Sequence, residues 1–299
     1  MKLNRIVFSG IIDGILVDHV IRDSEFTMKT KHFHDEYEIY YVLNGSRYYF
    51  IDDKIYSVKK GGLVLVNRRQ IHKTSQLDGL YHERILIEIN EKPFSTFFSC
   101  VCGMLLEDLF SNHFGAFELD IKGQTYVEPL MLSIVNELKE KNSNYESLIM
   151  LKISELLIYV TRQKSANLNL PTTMTADTAK HKMVKQVANY IVSNLNKVDS
   201  LHSLSEHFYV SKCYLSRTFK EVTGFTVHEY ININRIRQAQ KLLSTSSLSI
   251  REITEIIGFE SVTYFERVFK KYTETSPLKY RKKHILINQK ARERKTENT

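Results

Sequence analysis

Across 299 residues the chain has only three cysteines and four prolines, and no tryptophan. Cys100, Cys102 and Cys213 are an odd set without metal-finger spacing, which speaks against a disulfide framework and fits a reducing compartment. No run of eighteen apolar residues is present, so no segment reads as a membrane span. The start, Met1-Lys2-Leu3-Asn4-Arg5, leads into alternating sequence instead of a signal-peptide core, and a cytoplasmic protein with no membrane partner is expected. Also missing is a convergent set of nucleophile, base and acid, so no catalytic residue is assigned and a non-enzyme is expected.

Positive charge is not in short supply, but it is unevenly placed. From Thr175 onward there are 22 Lys and Arg against 12 Asp and Glu, a net of +10. The preceding residues carry 20 against 22, a net of −2. Phosphate contacts dominate the salt-dependent part of DNA binding, so the basic C-terminal part is the one suited to nucleic acid.

That basic part repeats itself. Tyr214-Leu215-Ser216-Arg217-Thr218-Phe219-Lys220 returns fifty positions later as Tyr264-Phe265-Glu266-Arg267-Val268-Phe269-Lys270, which points to one supersecondary unit used twice. In each copy a short apolar helix, a polar break and a serine able to cap precede a second helix. Leu201, Leu204 and Phe208 line the first leading helix; Ile250, Ile253, Ile256 and Ile257 line the second, with Gly258 as its left-handed C-cap. Leu215 with Phe219, and Phe265 with Phe269, lie i, i+4 and pack inward. That leaves Lys212, Cys213, Ser216, Arg217 and Lys220 outward in one copy, and Val262, Thr263, Glu266, Arg267, Lys270 and Lys271 in the other. A helix held this way fits a major groove and presents side chains to base edges. Residues 227–243 read as one long helix between the copies.

From residue 6 to 90 the apolar period is two, with turn signals at Asn44-Gly45, Asp52-Asp53 and Gly61-Gly62, which predicts an antiparallel barrel or jelly roll. Residues 37–43 and 47–51 are expected to pair as a hairpin across Asn44-Gly45. Residues 93–123 predict short helical packing, and 127–139 and 145–161 predict two helices joined by a polar loop. The resulting architecture is a multidomain chain: an all-β barrel at 1–123, a helical hairpin at 124–164, a polar linker at 165–178, an all-α domain with two helix-turn-helix motifs at 179–283, and a basic tail at 284–299.

Gly258-Phe259, Tyr264-Phe265, Arg267, Phe269-Lys270, Ser276-Pro277 and Tyr280-Arg281 stand where the AraC/XylS family of bacterial transcription regulators has its C-terminal signature, and the last third of the chain resembles that family. Two departures are visible. Glu274 replaces the glycine usual after Thr273, which strains the turn if φ is positive there, and Ser205 and Thr254 replace small alanines. Upstream, His32-x-His34-x-x-x-Glu38, Gly45, Gly62 and His72 resemble the two motifs of the cupin barrel, with Asn67 where proline is frequent. The resemblance implies an effector pocket lined by His32, His34, Glu38, Tyr40, Tyr49, His72 and His82. It further implies double-stranded DNA, a small-molecule effector such as a carbohydrate, a homodimer formed through the helical hairpin, and RNA polymerase as partners. No metal or other cofactor is expected. His32, His34, Glu38 and His72 share the parity and donor types of a metal site, so a metal-dependent cupin enzyme with a DNA-binding tail remains the alternative, as does an effector-independent DNA binder.

Overall fold

A computed structural model describes residues 4–24, 34–163, 179–198 and 200–282. Residue 283, the expected linker at 165–178 and the expected tail at 284–299 lie outside the described residues, as does His32. The chain divides into two units near His181–Lys182.

The first unit opens with eight strands: β1 (Asn4–Ile12), β2 (Ile15–Arg22), β3 (Tyr37–Asn44), β4 (Ser46–Ile51), β5 (Lys54–Lys59), β6 (Gly62–Val66), β7 (His72–Gln76) and β8 (His82–Ile89). Then come α1 (Glu91–Cys102), α2 (Leu106–Asn112), β9 (Gly115–Glu118), α3 (Ile121–Glu140) and α4 (Tyr145–Arg162). Antiparallel pairing builds a six-stranded sheet, β1-β2-β8-β3-β6-β9, and a three-stranded sheet, β5-β4-β7.

The alternation decides what each face meets. On β3, β6 and β8 the odd-numbered Tyr37, Ile39, Tyr41, Leu63, Leu65, Ile85, Ile87 and Ile89 join one core with Phe94, Phe98, Phe110 and the inner faces of α3 and α4. Even-numbered Tyr40, Val42, Val64, Val66 and Leu86 point the other way and meet Tyr49, Ile51 and Val58 of the smaller sheet. The larger sheet is thus covered on both faces, which is why β3 is buried along almost its whole length. Each fully buried phenylalanine in the outer core contributes roughly 1.5–3 kcal/mol of transfer free energy.

Two expectations are corrected here. The hairpin across Asn44-Gly45 does not form: β3 pairs with β6 and β8, whereas β4 pairs with β5 and β7. Residues 37–43 are apolar on both sides and need a central position between covered faces, so the chain crosses to the other sheet at Gly45 (φ 82). A Cβ there would meet the Tyr81 carbonyl at 2.3 Å, so the crossing requires glycine. The tight hairpin is instead β4–β5, turning at Asp52-Asp53. Residues 115–118, expected among short helical segments, form β9 on the edge of the larger sheet. On α4 the buried set is Ile149, Ile153, Leu156, Leu157 and Val160, so Leu148 and Leu151 are left exposed. The first helix of the hairpin begins at Ile121, with Asp120 capping by accepting from the Gly123 amide at 2.7 Å.

The second unit is helical: α5 (Ala179–Ser193), α6 (Leu201–His207), α7 (Lys212–Thr223), α8 (Val227–Thr245), α9 (Ile250–Ile256) and α10 (Val262–Thr273), with a further helical turn from Pro277. Capping boxes Thr226/Glu229 and Ser249/Glu252 start α8 and α9. The buried side of α8 serves both halves of the repeat. Tyr230 meets Phe219 edge to face at 5.2 Å, while Ile236, Ala239 and Leu243 enter the core of Ile253, Ile257, Phe259, Phe265, Val268 and Phe269. Arg235 on α8 donates to the carbonyls of Leu195 and Val198, tying the helix to the segment after α5.

The unusual residues of the repeat are accommodated locally. Ser205 and Thr254 are buried, and their hydroxyls donate back to the His202 and Ile250 carbonyls at 2.8 and 2.7 Å, so no polar group is stranded. Glu274 does take the left-handed conformation, φ 59, where glycine would be unstrained.

Candidate functional site

The two halves of the repeat start their second helices alike. Ser211 Oγ accepts from the Tyr214 amide and Ser261 Oγ from the Tyr264 amide, each at 3.2 Å. Leu215, Phe219, Phe265 and Phe269 are fully buried. With those residues inward, Lys212, Cys213, Arg217 and Lys220 are exposed on α7 and Ser216 is half-buried. On α10, Thr263, Glu266, Arg267, Lys270 and Lys271 are exposed and Val262 is half-buried. Arg267 lies over the Tyr264 ring at 5.1 Å, which holds its guanidinium against the helix face. Sequence reasoning passed over Tyr209, which stands in the turn before α7 at φ 53 and is 95% exposed. Its exposure depends on a turn conformation that no periodicity reports.

Inside the barrel the residues expected to form one lining fall into two groups. At one pole Glu38 is buried, with His72 Nε2 at 3.1 Å and His34 Nε2 at 3.6 Å from its carboxylate, and the Tyr49 hydroxyl donates to it. His72 Nδ1 hydrogen-bonds the Gln70 carbonyl at 2.8 Å, which fixes the ring with Nε2 towards the Glu38 carboxylate. Burial alone would raise the Glu38 pKa. The His72 charge, with hydrogen bonds from His34, His72 and Tyr49, holds it well below the usual carboxylate range. Burial pulls His34 down, but Glu38 more than offsets this and raises it. The three ligand atoms lie within 4.8 Å of one another, a donor set able to take a divalent transition metal.

At the other pole Tyr40 hydrogen-bonds His82 Nε2 at 2.8 Å. The rings of Tyr40 and Tyr49, 5.2 Å apart, join the two groups. Three arginines that sequence reasoning missed share this pole. Arg22 sits opposite His82 on neighbouring strands, Arg84 opposite both Val20 and Val42, and Arg47 points in from β4, donating to Thr74 Oγ1 at 3.4 Å. Burial, then Arg47, Arg84 and Arg22, push His82 down to about 3. Burial, then Arg84, pushes Arg22 down to about 10. Inward parity was the available signal, since His82, Arg84 and Leu86 alternate with Glu83, Ile85 and Ile87.

Residues 204–283 match the model of a helix-turn-helix domain, and residues 21–88 match that of an AraC-like ligand binding domain. The chain belongs to the AraC family. Among its relatives, the uncharacterized HTH-type transcriptional regulator YfiF of Bacillus subtilis is 29% identical over 82% of this chain and 76% of its own. The arabinose operon regulatory protein of Escherichia coli is 29% identical over 58% of this chain and 56% of its own. The xylose operon regulatory protein of Escherichia coli is 35% identical over 33% of this chain, a match that spans 25% of that relative's length. As an AraC-family member the chain is a DNA-binding transcriptional regulator with an N-terminal ligand-binding domain. The relatives that match it are themselves transcriptional regulators. Among the described residues no single helix is long and apolar enough to cross a membrane.

Proposed function

We propose that the barrel binds a small-molecule effector, a carbohydrate or related metabolite, between its two sheets, and that α7 and α10 read an operator in successive major-groove segments. The observation that carries this reading is a buried interior with polar groups at both poles, on a chain whose repeated helices expose basic faces. Glu38, Tyr40, Tyr49, His72 and His82, with His34 at the edge and His32 outside the described residues, are the proposed effector-binding set. Regulators of xylose and arabinose operons among the relatives support a sugar-like ligand. An effector acts only through different affinities for two states of the regulator, so operator affinity measured with and without candidate sugars is the direct test. A ligand that binds the barrel and leaves operator affinity unchanged would sink this reading.

Base contacts are assigned to Lys212, Cys213, Ser216 and Arg217 on α7, and to Val262, Thr263, Glu266 and Arg267 on α10; Lys220, Lys270 and Lys271 are assigned to phosphate. Arg217→Ala is expected to cost about 1–3 kcal/mol of operator binding and to relax preference at one base pair. Equal weakening on every sequence, read by competition with mutated operators, would make Arg217 a phosphate contact instead.

The protein is proposed to work in the cytoplasm as a homodimer paired through the helical hairpin, with RNA polymerase as a further partner. On α4 the exposed Leu148 and Leu151, beside Tyr126 of α3, offer an apolar face for pairing. Leu151→Glu should convert dimer to monomer in sedimentation at unchanged melting temperature; a dimer that survives the change pairs elsewhere. The His34–Glu38–His72 cluster favours one competing reading, a metal-dependent cupin enzyme fused to a DNA-binding domain. That reading requires stoichiometric metal in the purified protein and its loss in His34→Ala.

A further inference from the structure

The arginine pole of the barrel is more specialised than a pocket for neutral hydroxyls requires. Arg84 is 8% exposed and Arg47 is 3% exposed, so two guanidinium groups are almost wholly buried, with Arg22 half-buried beside them. They come from both sheets: Arg22 on β2, Arg84 on β8 and Arg47 on β4. All three act electrostatically on His82 and on Tyr40. A core selected only for stability does not gather three like charges, because each must be stripped of water and each repels the others.

The polar groups here are linked. Arg47 donates to the Tyr40 hydroxyl, which in turn shares a hydrogen bond with His82 Nε2. His82 Nδ1 is buried without a hydrogen-bond partner among the described residues, and so is Nη1 of Arg84, a group that can only donate. Arg84 lies against the Tyr40 ring at 5.6 Å, a contact that orients the guanidinium but accepts none of its protons. Buried polar groups are normally satisfied, so these two on one strand and one inward face mark a place for a ligand, and the Arg84 guanidinium requires an acceptor there. A guanidinium fork matches the two oxygens of a carboxylate or phosphate.

We propose that the effector is an oxyanion, a sugar acid or sugar phosphate, whose acid group is held by Arg22, Arg47 and Arg84 together with His82. The proposal rests on the effector reading above and names the ligand's chemical class. The Glu38 pole then serves as the acceptor end for ligand hydroxyls. It lies four residues back along β3, about 13 Å at strand rise, which suits an elongated ligand carrying its acid group at one end.

The test uses the full chain, thermal unfolding, and four probes: inorganic phosphate, D-glucuronate, D-glucose 6-phosphate and D-glucose. Without any anion, Arg84→Gln is expected to melt at the wild-type temperature or above it, since one of three like charges is gone. With the anions, wild type should show a saturable rise in Tm, and Arg84→Gln should need about tenfold more ligand or worse for the same rise. Arg84→Lys should recover part of the effect. Glucuronate against glucose 6-phosphate separates carboxylate from phosphate, and inorganic phosphate tells whether the acid group suffices alone. A marked fall in the anion-free Tm of Arg84→Gln would make Arg84 structural and overturn the proposal. So would equal anion shifts in both proteins, no shift with any anion, or a response to glucose that Arg84→Gln retains in full. If an acid binds through Arg84 and operator affinity does not change, the anion site stands and the effector reading falls.

Discussion

Phe269→Ala is expected to destabilise the C-terminal unit by roughly 3–5 kcal/mol and to abolish operator binding. Phe269 is fully buried at the centre of the second half of the repeat, with the rings of Phe265 and Tyr280 each 5.5 Å away. Alanine would leave a cavity in a core whose remaining members, Ile253, Ile257, Phe259 and Val268, are held by α8, α9 and α10 from three sides and have little freedom to collapse. A loss of this size approaches the whole stability of a typical domain, about 5–15 kcal/mol. Phe269→Leu should cost less than half as much. With no tryptophan in the chain, helical circular dichroism against denaturant is the suitable probe. Lys270→Ala is the control: it should weaken DNA binding and leave stability unchanged. A Phe269→Ala protein within about 1 kcal/mol of wild type would show that this core is not the one that holds α10 in place.

The barrel should weaken in mild acid earlier than its carboxylates require. His82 is 2% exposed and titrates near 3 in the folded chain, against an ordinary 6.5. Between those values the unfolded chain binds a proton that the folded barrel refuses. The stability His82 contributes is therefore fully present above about pH 6.5 and is lost as pH falls toward 3. The total is on the order of 5 kcal/mol, because each tenfold loss of proton affinity is worth about 1.4 kcal/mol. Burial first, then Arg47, Arg84 and Arg22, refuse the ring a charge, and Tyr40 hydrogen-bonds it. The buried carboxylate of Glu38 also loses stabilisation in acid, but only below its ordinary value of 4.5, whereas His34, with its raised pKa, contributes in the opposite sense as pH rises. His82→Gln keeps an acceptor for Tyr40 and cannot titrate. Its unfolding free energy should stay flat from pH 6.5 to 5, where wild type declines; parallel profiles would place the acid sensitivity elsewhere.

The two-fold helical repeat was legible in the sequence because its apolar residues recur at helical spacing and its caps are serines at fixed offsets, Ser211 and Ser261. The inward set of the barrel was legible in part for a similar reason: Glu38 and Tyr40 follow strand parity. Pairing was not legible. Asn44-Gly45 has hairpin chemistry, but the doubly apolar residues 37–43 demand a central strand, and that long-range requirement overrides the local turn. The arginines escaped notice because Arg22, Arg47 and Arg84 are far apart in the chain and each alone reads as a solvated strand residue. Only the register of β2 on β8 and the inward face of β4 bring them together. On α4, Leu148 and Leu151 fit the same periodicity as Leu156, and the direction from which α1 and α3 approach decides which of them is covered.

Because α8 packs against both halves of the repeat, it would act as a ruler for operator phasing when α7 and α10 read the operator as proposed. Adding one residue to its middle would swing everything beyond by about 100° and lengthen it by about 1.5 Å. The far reading head would then be turned away from the groove. Lengthening the operator between the two contacted segments by a single base pair should be tolerated just as poorly, and no flexible joint exists within the helix to absorb either change.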